Sequence, residues 1–241
     1  MKAVVSLFIA SVAHAGTVGD ILLSQAMTAK PVKDVSALIK QDPLLTISSS
    51  PRSIFGGRYP WHSVTSTVFC VGENVKQGGG VSNYRSSWDA KWMEHFGSGL
   101  GQNPFYVALP YNDLIDDHTT KPEAATVIPW FRNSFVRSGQ SVCKGRWIAI
   151  KKGGRMCYAQ WEDCGPFRTD CASYVFGRAA PSWNKNNSAG IDVSPAVQQY
   201  LGLSGVDSVD WKFCEFRNVP SQGPWAAYGT NNTFVLLREK R

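Results

Sequence analysis

Alternating apolar and polar positions predict short β-strands along much of the chain. The segments "STVFCVG", "FYVALPY" and "VDWKFCEF" combine this alternation with the β-branched and aromatic residues that strands favour. The segment "GRWIAIKKGGRMCYAQWED" has two such arms around Gly153 and Gly154, a two-residue turn that tolerates positive φ, and it predicts a β-hairpin. "IDV" is a further, very short strand. The pattern therefore predicts a β domain of six or seven short strands.

One short helix is marked by its end signals in "SPAVQQYLG". Ser194 is a favoured N-cap, Pro195 suits the first helical position, and Gly202 follows the end. In an earlier long loop, Trp88, Trp92 and Phe96 are spaced four residues apart, which would place them on one face of a short helix. We expect these rings to anchor the loop to the β domain; a platform for stacking sugar rings is the alternative.

The N-terminus has the pattern of a secretory signal peptide over residues 1–15. A positive residue, Lys2, precedes the apolar run "AVVSLFIASV", and "AHA" forms a small-residue cleavage site before Gly16. The apolar run is too short to span a bilayer. We therefore expect a secreted or periplasmic protein with no membrane attachment after cleavage.

The remaining chain divides by composition into three parts. Residues 16–62 predict an extension or linker, because weak helical periodicity gives way to Ser, Pro and Gly. Residues 63–219 predict the β domain, and residues 220–241 a tail with one more strand-like segment, "TFVLLREKR". A closed barrel would leave no free strand edge, so we expect a monomer.

Six cysteines follow the signal segment, an even number that favours up to three disulfides in an oxidising compartment. They are Cys70, Cys143, Cys157, Cys164, Cys171 and Cys214. Cys164 with Cys171 is the favoured local pair, because a short loop bearing Gly and Pro separates them. The alternative, a nucleophilic Cys164, lacks a His nearby in the sequence. The histidines are scattered without metal-ligand spacing, so no metal or cofactor is expected.

The formal net charge of +7 suggests an anionic polymer as partner. For an exported protein, teichoic acid, peptidoglycan peptides and acidic polysaccharides are the relevant polymers. The basic residues are dispersed and form no arm or dense run, so nucleic acid is not expected as a partner. A soluble surface with a modest basic excess explains the charge equally well.

Two carboxylates lie at predicted strand ends, Asp163 in "WEDCGPF" and Asp192 in "AGIDVSPAVQQYLGL". Cleavage of a glycosidic bond needs a protonated carboxyl for the leaving oxygen and a group that accepts a proton from the attacking hydroxyl. Asp113 in "YND" is a third candidate, with Tyr111 beside it, and Trp161 is a further candidate for sugar contact. The alternatives are structural: Asp192 could bond N–H groups at the helix start, and Asp163 could cap the turn before Gly-Pro.

These two motifs resemble those of double-psi β-barrels of the rare lipoprotein A type, in which "N-D-R-G-P-F" precedes "I-D-L-S" and a small helix ending in "L-G". The matching residues are Asp163, Gly165, Pro166 and Phe167 in the first motif, and Ile191, Asp192, Ser194, Ala196, Leu201 and Gly202 in the second. "NPFYVALPYND" resembles the family segment that contains "A-L-P". The resemblance covers about residues 63–216. It departs from the family at Cys164 (usually Arg), at Val107 (His in that family) and in the long loop 171–189.

The resemblance implies a mostly β fold, a six-stranded double-psi β-barrel with long loops and one or more short helices. The same barrel serves expansins, barwin-like proteins, inverting endoglucanases and membrane-bound lytic transglycosylase A. It implies Asp192 as proton donor and Asp163 as second carboxylate.

The function implied is cleavage of peptidoglycan or a related β-linked glycan, by a lytic transglycosylase or an inverting hydrolase. An expansin-like module that binds carbohydrate without cleaving it is the alternative. A barwin-type inhibitor or toxin-like factor is a third possibility.

Overall fold

Six strands close a barrel in the computed structural model, which describes residues 59–72, 83–97 and 103–228. The strands are β1 His62–Val68, β2 Tyr106–Leu109, β3 Leu114–Asp116, β4 Thr119–Thr120, β5 Arg146–Lys152, β6 Arg155–Cys164, β7 Ile191–Val193 and β8 Asp207–Phe213. Their order around the barrel is β1-β7-β2-β6-β5-β8, and β3 and β4 form a separate two-stranded sheet. The predicted mostly β fold with a six-stranded barrel is confirmed.

The barrel mixes parallel and antiparallel pairs. β1 runs parallel to β7 and β2 parallel to β6, whereas the other four pairs are antiparallel. This closed, mixed arrangement is compatible with a double-psi barrel. The predicted hairpin is confirmed as β5 and β6, whose register reaches Lys152 opposite Arg155 around the Gly153-Gly154 turn. Gly153 has φ 55°, a left-handed conformation that glycine adopts without a steric penalty.

Apolar side chains fill two regions, one inside the barrel and one outside it. Val107 and Leu109 of β2 belong to the main core cluster, which also contains Ile191 and Val193 of β7. The intervening Ala108 belongs to a second cluster, on the other face of β2. The other buried members of that cluster are Phe69, Val71, Trp92 and Tyr106. The described part of the long loop, residues 83–97, therefore packs against the outer surface of the barrel.

The helices are short and lie between or after the strands. They are α1 Trp92–Gly97, α2 Ala124–Val127, α3 Phe131–Ser134, α4 Ala172–Val175 and α5 Pro195–Leu201, with 3-10 turns at Phe216–Asn218 and Pro224–Tyr228. The predicted helix is confirmed as α5. Ser194 Oγ accepts from Val197 N–H, and Gly202 ends the helix at φ 70°. Among the described residues, none of the helices has the length and apolar composition to cross a bilayer.

The core also includes residues that precede the first strand of the barrel and residues that follow the last one. Tyr59 packs edge-on against Trp130 and Phe213. Trp225 is fully buried and packs against Phe105, Tyr158 and Tyr200. The predicted signal segment, the extension up to residue 58 and the strand-like segment "TFVLLREKR" lie outside the described residues.

The predicted disulfides are not formed. All six cysteines carry thiols, and none is at disulfide distance from another. For the favoured pair, the reason is that the two side chains face different neighbours. The Cys171 thiol lies 3.2 Å from Ser182 Oγ, whereas Cys164 interacts with the side chain of Ser87.

We expect Ser194→Ala to lower the free energy of unfolding by about 1–2 kcal/mol, because the hydroxyl caps α5 and is fully buried. Its Oγ also accepts from Tyr106 N–H at 3.4 Å, which ties the helix to β2. Urea unfolding of the wild type and the variant measures the difference. Ser208→Ala, at an exposed position of β8, is the control and should change stability by less than about 0.5 kcal/mol. Equal losses in both variants would contradict the capping role.

Candidate functional site

Two carboxylates lie in one row across four neighbouring strands. Thr67 of β1 pairs with Asp192 of β7, Asp192 pairs with Ala108 of β2, and Ala108 pairs with Asp163 of β6. Side chains of directly paired residues share a face of the sheet. Ala108 therefore separates the two aspartates by two strand spacings, about 10 Å between their α-carbons.

Asp192 is the partly exposed acid of this row. Thr67 Oγ1 donates a hydrogen bond to its Oδ1. Its Oδ2 faces Gly165: a β-carbon added at Gly165 would lie 3.6 Å from that oxygen. Gly165 has φ 152°, a conformation that disfavours any residue other than glycine, so the position next to Oδ2 favours a residue without a side chain. At the helix start, the Ser194 side chain accepts from the Val197 N–H.

Asp163 is more deeply buried and is bonded to backbone. Its Oδ1 accepts from the N–H groups of Ser87 at 2.7 Å and Cys164 at 2.8 Å, and the residue is 8% exposed. Burial raises the pKa of this carboxyl, although the hydrogen bonds from Ser87 and Cys164 oppose the rise. The contact with Ser87 fastens residues 83–97 to the barrel wall. Asp163 therefore binds the backbone of two segments, whereas the Gly165 N–H, which an Asx turn would use, donates to Leu109 C=O at 3.0 Å.

Asp113 lies outside the row and is fully buried. Its two carboxylate oxygens accept from Ser141 Oγ and from Val142 N–H, each at 2.7 Å. Burial raises its pKa against these hydrogen bonds. Both oxygens are thus engaged in holding the loop that leads into β5.

Three of the four aromatic residues that are candidates for sugar contact lie in the interior. Tyr111 and Trp161 are fully buried and Trp92 is 1% exposed, so none presents a ring face to a ligand. Trp92 packs against Phe69 and Tyr106, which is the anchoring role. Trp88 is half-buried ahead of α1, and its Nε1 donates to Asn112 Oδ1 at 2.8 Å. The contacts of Trp88 and Trp92 are therefore part of the packing between the loop and the barrel.

Burial also bears on the nucleophilic alternative for Cys164. It raises the pKa of this thiol well above its ordinary value, and the nearby Asp163 and Asp113 carboxylates raise it further. The thiolate is the reactive form of cysteine. Cys164 is therefore held as an unreactive thiol.

Sequence reasoning missed Glu162, a buried acid beside the row. In the parallel pair of β2 and β6, Val107 faces Trp161 and Ala108 faces Asp163, so Glu162 is the extra residue of a bulge. It is 6% exposed, and burial raises its pKa to about 7, against an opposing effect from Lys144. The acidic pair in "WED" was visible in the sequence, but the bulge that buries Glu162 was not.

Charged groups from two segments cover Glu162. Asp89 Oδ2 lies 2.8 Å from His95 Nδ1 and 3.4 Å from Lys144 Nζ. Burial alone would raise the pKa of Asp89, but the hydrogen bond with His95 and the charge of Lys144 bring it below its ordinary value. Asp89 is therefore an anion beside Glu162 and favours the protonated form of that residue.

A comparison with known protein families and with curated proteins finds no match for this chain. Among the residues described, no group of three His, Cys, Asp or Glu side chains is arranged to hold a metal ion. The candidate site is thus defined by its own geometry: an outward row containing Asp192 and Asp163, with Glu162 beside it.

We expect Glu162 to make the protein less stable as pH rises from about 5 to 8. Its folded pKa of about 7 lies above its ordinary value of 4.5, so in this window the folded state keeps a proton that the unfolded chain loses. The loss approaches about 3 kcal/mol above pH 7. Asp163 and Asp113, whose pKa values are also raised, contribute in the same direction.

Urea unfolding across this pH range tests the expectation with Glu162→Gln, which cannot ionise. The variant should show a flatter profile than the wild type and gain relative stability toward pH 8. Glu123→Gln, at an exposed position before α2, is the matched control and should follow the wild type. A Glu162→Gln profile parallel to the wild type would contradict the assignment.

Proposed function

We propose that this is an exported protein that acts on a cell-wall polysaccharide, peptidoglycan or a related β-linked glycan, with Asp192 as the acid. One observation carries the proposal: Asp192 is a partly exposed carboxylate on the outer wall of the barrel, oriented by Thr67. The motif resemblance and the signal-like residues 1–15 support it. The basic net charge suits a wall in which acidic polymers occur.

In the proposed reaction, Asp192 acts first as general acid and then as general base. In this reaction Oδ2 carries the proton, while Oδ1 accepts a hydrogen bond from the Thr67 hydroxyl. That proton passes to the glycosidic oxygen as its bond to the anomeric carbon breaks. A hydroxyl of the same sugar attacks the anomeric carbon, and its proton returns to Asp192. The products are a new chain end and an anhydro-sugar end, and the acid is regenerated.

The one-acid route fits the surroundings of Asp163 better than inverting hydrolysis does. An inverting enzyme needs a second carboxylate that activates a water molecule. Asp163 is 8% exposed, and two backbone N–H groups already occupy its Oδ1. We therefore assign Asp163 the role of fixing the loop beside the site, and prefer lytic transglycosylase chemistry.

An expansin-like binding module is the second candidate, and the same observation favours it. A barrel surface with one accessible carboxylate can hold a glycan without cleaving it. The two candidates differ in whether covalent products appear.

We expect the wild type to release anhydro-sugar fragments from purified sacculi and Asp192→Asn to release about 100-fold less or none, because the amide cannot donate the proton. Mass spectrometry of the soluble products measures both. Asp116→Asn, an exposed aspartate of β3, is the matched control and should behave as wild type. Thr67→Val should lower the rate while leaving folding intact, because it removes the group that orients Oδ1.

Each other outcome has a defined meaning. Fragments with ordinary reducing ends would replace the transglycosylase with a hydrolase. Equal activity in Asp192→Asn and the wild type would reject Asp192 as the acid. No products from any protein would reject cleavage of peptidoglycan, and retention on sacculi, cellulose and chitin would then test the binding module.

A further inference from the structure

Phe167 is an exposed aromatic residue with an unusual backbone conformation. It is 57% exposed, and its φ of 61° lies in the left-handed region. A bulky residue rarely adopts this region, because its β-carbon crowds the backbone, and such outliers concentrate at functional sites. The chain therefore bears both a conformational cost and an exposed apolar ring at one position.

The backbone around Phe167 is held in place on both sides. Before it, Gly165 N–H donates to Leu109 C=O at 3.0 Å. After it, Thr169 C=O accepts from Asn112 N–H at 2.9 Å, and Arg168 forms a two-pronged pair with Asp170 at 2.8 and 2.7 Å. The ring is thus presented from a fixed turn.

The turn that carries Phe167 lies beside Asp192. A β-carbon placed on Gly165 would be 3.6 Å from Asp192 Oδ2 and 4.0 Å from the backbone nitrogen of Phe167. Both atoms therefore lie close to Gly165, together with the β-carbon of Ala108 at 3.9 Å from the same position. Within the part of the chain that the structure describes, no aromatic ring packs against Phe167, in contrast to Phe135, which stacks on Phe131 at 4.9 Å.

We infer that Phe167 is the sugar-stacking residue of the site, and that it holds one pyranose ring of the glycan so that the glycosidic oxygen meets Asp192 Oδ2. The apolar C–H face of a pyranose complements an exposed aromatic face, and the sugar hydroxyls remain turned toward polar groups and water. The fixed turn means that little conformational freedom is lost on binding. This inference rests on the proposed function and adds the residue that would contact the glycan. It transfers that role from the buried Tyr111, Trp161 and Trp92 to Phe167.

The test is retention of the full chain on insoluble sacculi, cellulose and chitin, measured as bound fraction against polymer concentration. Phe167→Ala should bind about tenfold or more weakly, as expected for loss of a central aromatic contact. Phe167→Trp, which keeps an aromatic face, should bind as the wild type does. Phe135→Ala is the matched control, since Phe135 is also an exposed phenylalanine and lies after α3. Urea unfolding should show that Phe167→Ala remains folded, because more than half of the Phe167 surface is already exposed.

The outcomes separate this inference from the proposed function. Wild-type binding with loss only in Phe167→Ala, while Asp192→Asn still binds, supports both. Equal binding by wild type and Phe167→Ala overturns the role of Phe167 and leaves the polysaccharide function standing. Absence of wild-type binding to all three polymers overturns both. If soluble glycan fragments are cleaved, Phe167→Ala should raise KM more than it lowers kcat, and the reverse would also reject the stacking role.

Discussion

The register of β2 between β7 and β6 is the constraint on which the candidate site depends. Ala108 pairs with Asp192 on one side and with Asp163 on the other. A slip of one residue would exchange the two faces of the strand and turn the carboxylates toward the core. Val107 beside Ala108, and Ile191 and Val193 around Asp192, are fully buried. Burial of these apolar neighbours therefore keeps the acids on the outside.

The segment 83–97 changes the chemistry of the wall that it covers. Trp92 packs this segment against the outer apolar cluster, and the Ser87 N–H donates a hydrogen bond to Asp163. This cover withdraws Asp163 and Glu162 from water, so burial raises the pKa of both. Asp192, two strands from Asp163, stays partly exposed. One wall of a barrel thus holds carboxyl groups in contrasting environments, which is the usual way in which similar acids acquire different roles.

The sequence allowed the strands, the hairpin and helix α5 to be predicted, because local signals specify each of them. The Gly153-Gly154 turn and the Ser194 cap act within a few residues. The predicted disulfide between Cys164 and Cys171 was wrong, because the spacing of two cysteines in the chain does not determine the directions of their side chains. The bulge at Glu162 arises from pairing with a distant strand. For the same reason, the sequence did not show which aromatic side chains are buried: the tertiary packing buries Trp92 and Trp161 and leaves Phe167 exposed.

Trp225 shows that the folded unit continues past the last strand of the barrel. Its ring fills a space bounded by Phe105, Tyr158 and Tyr200, although it lies twelve residues past Phe213, the last residue of β8. A chain cut at residue 219, where the strand pattern stops, would lose this ring and expose apolar surface at one end of the barrel. Shortened proteins made for crystallisation or NMR should therefore retain Tyr59 and Trp225.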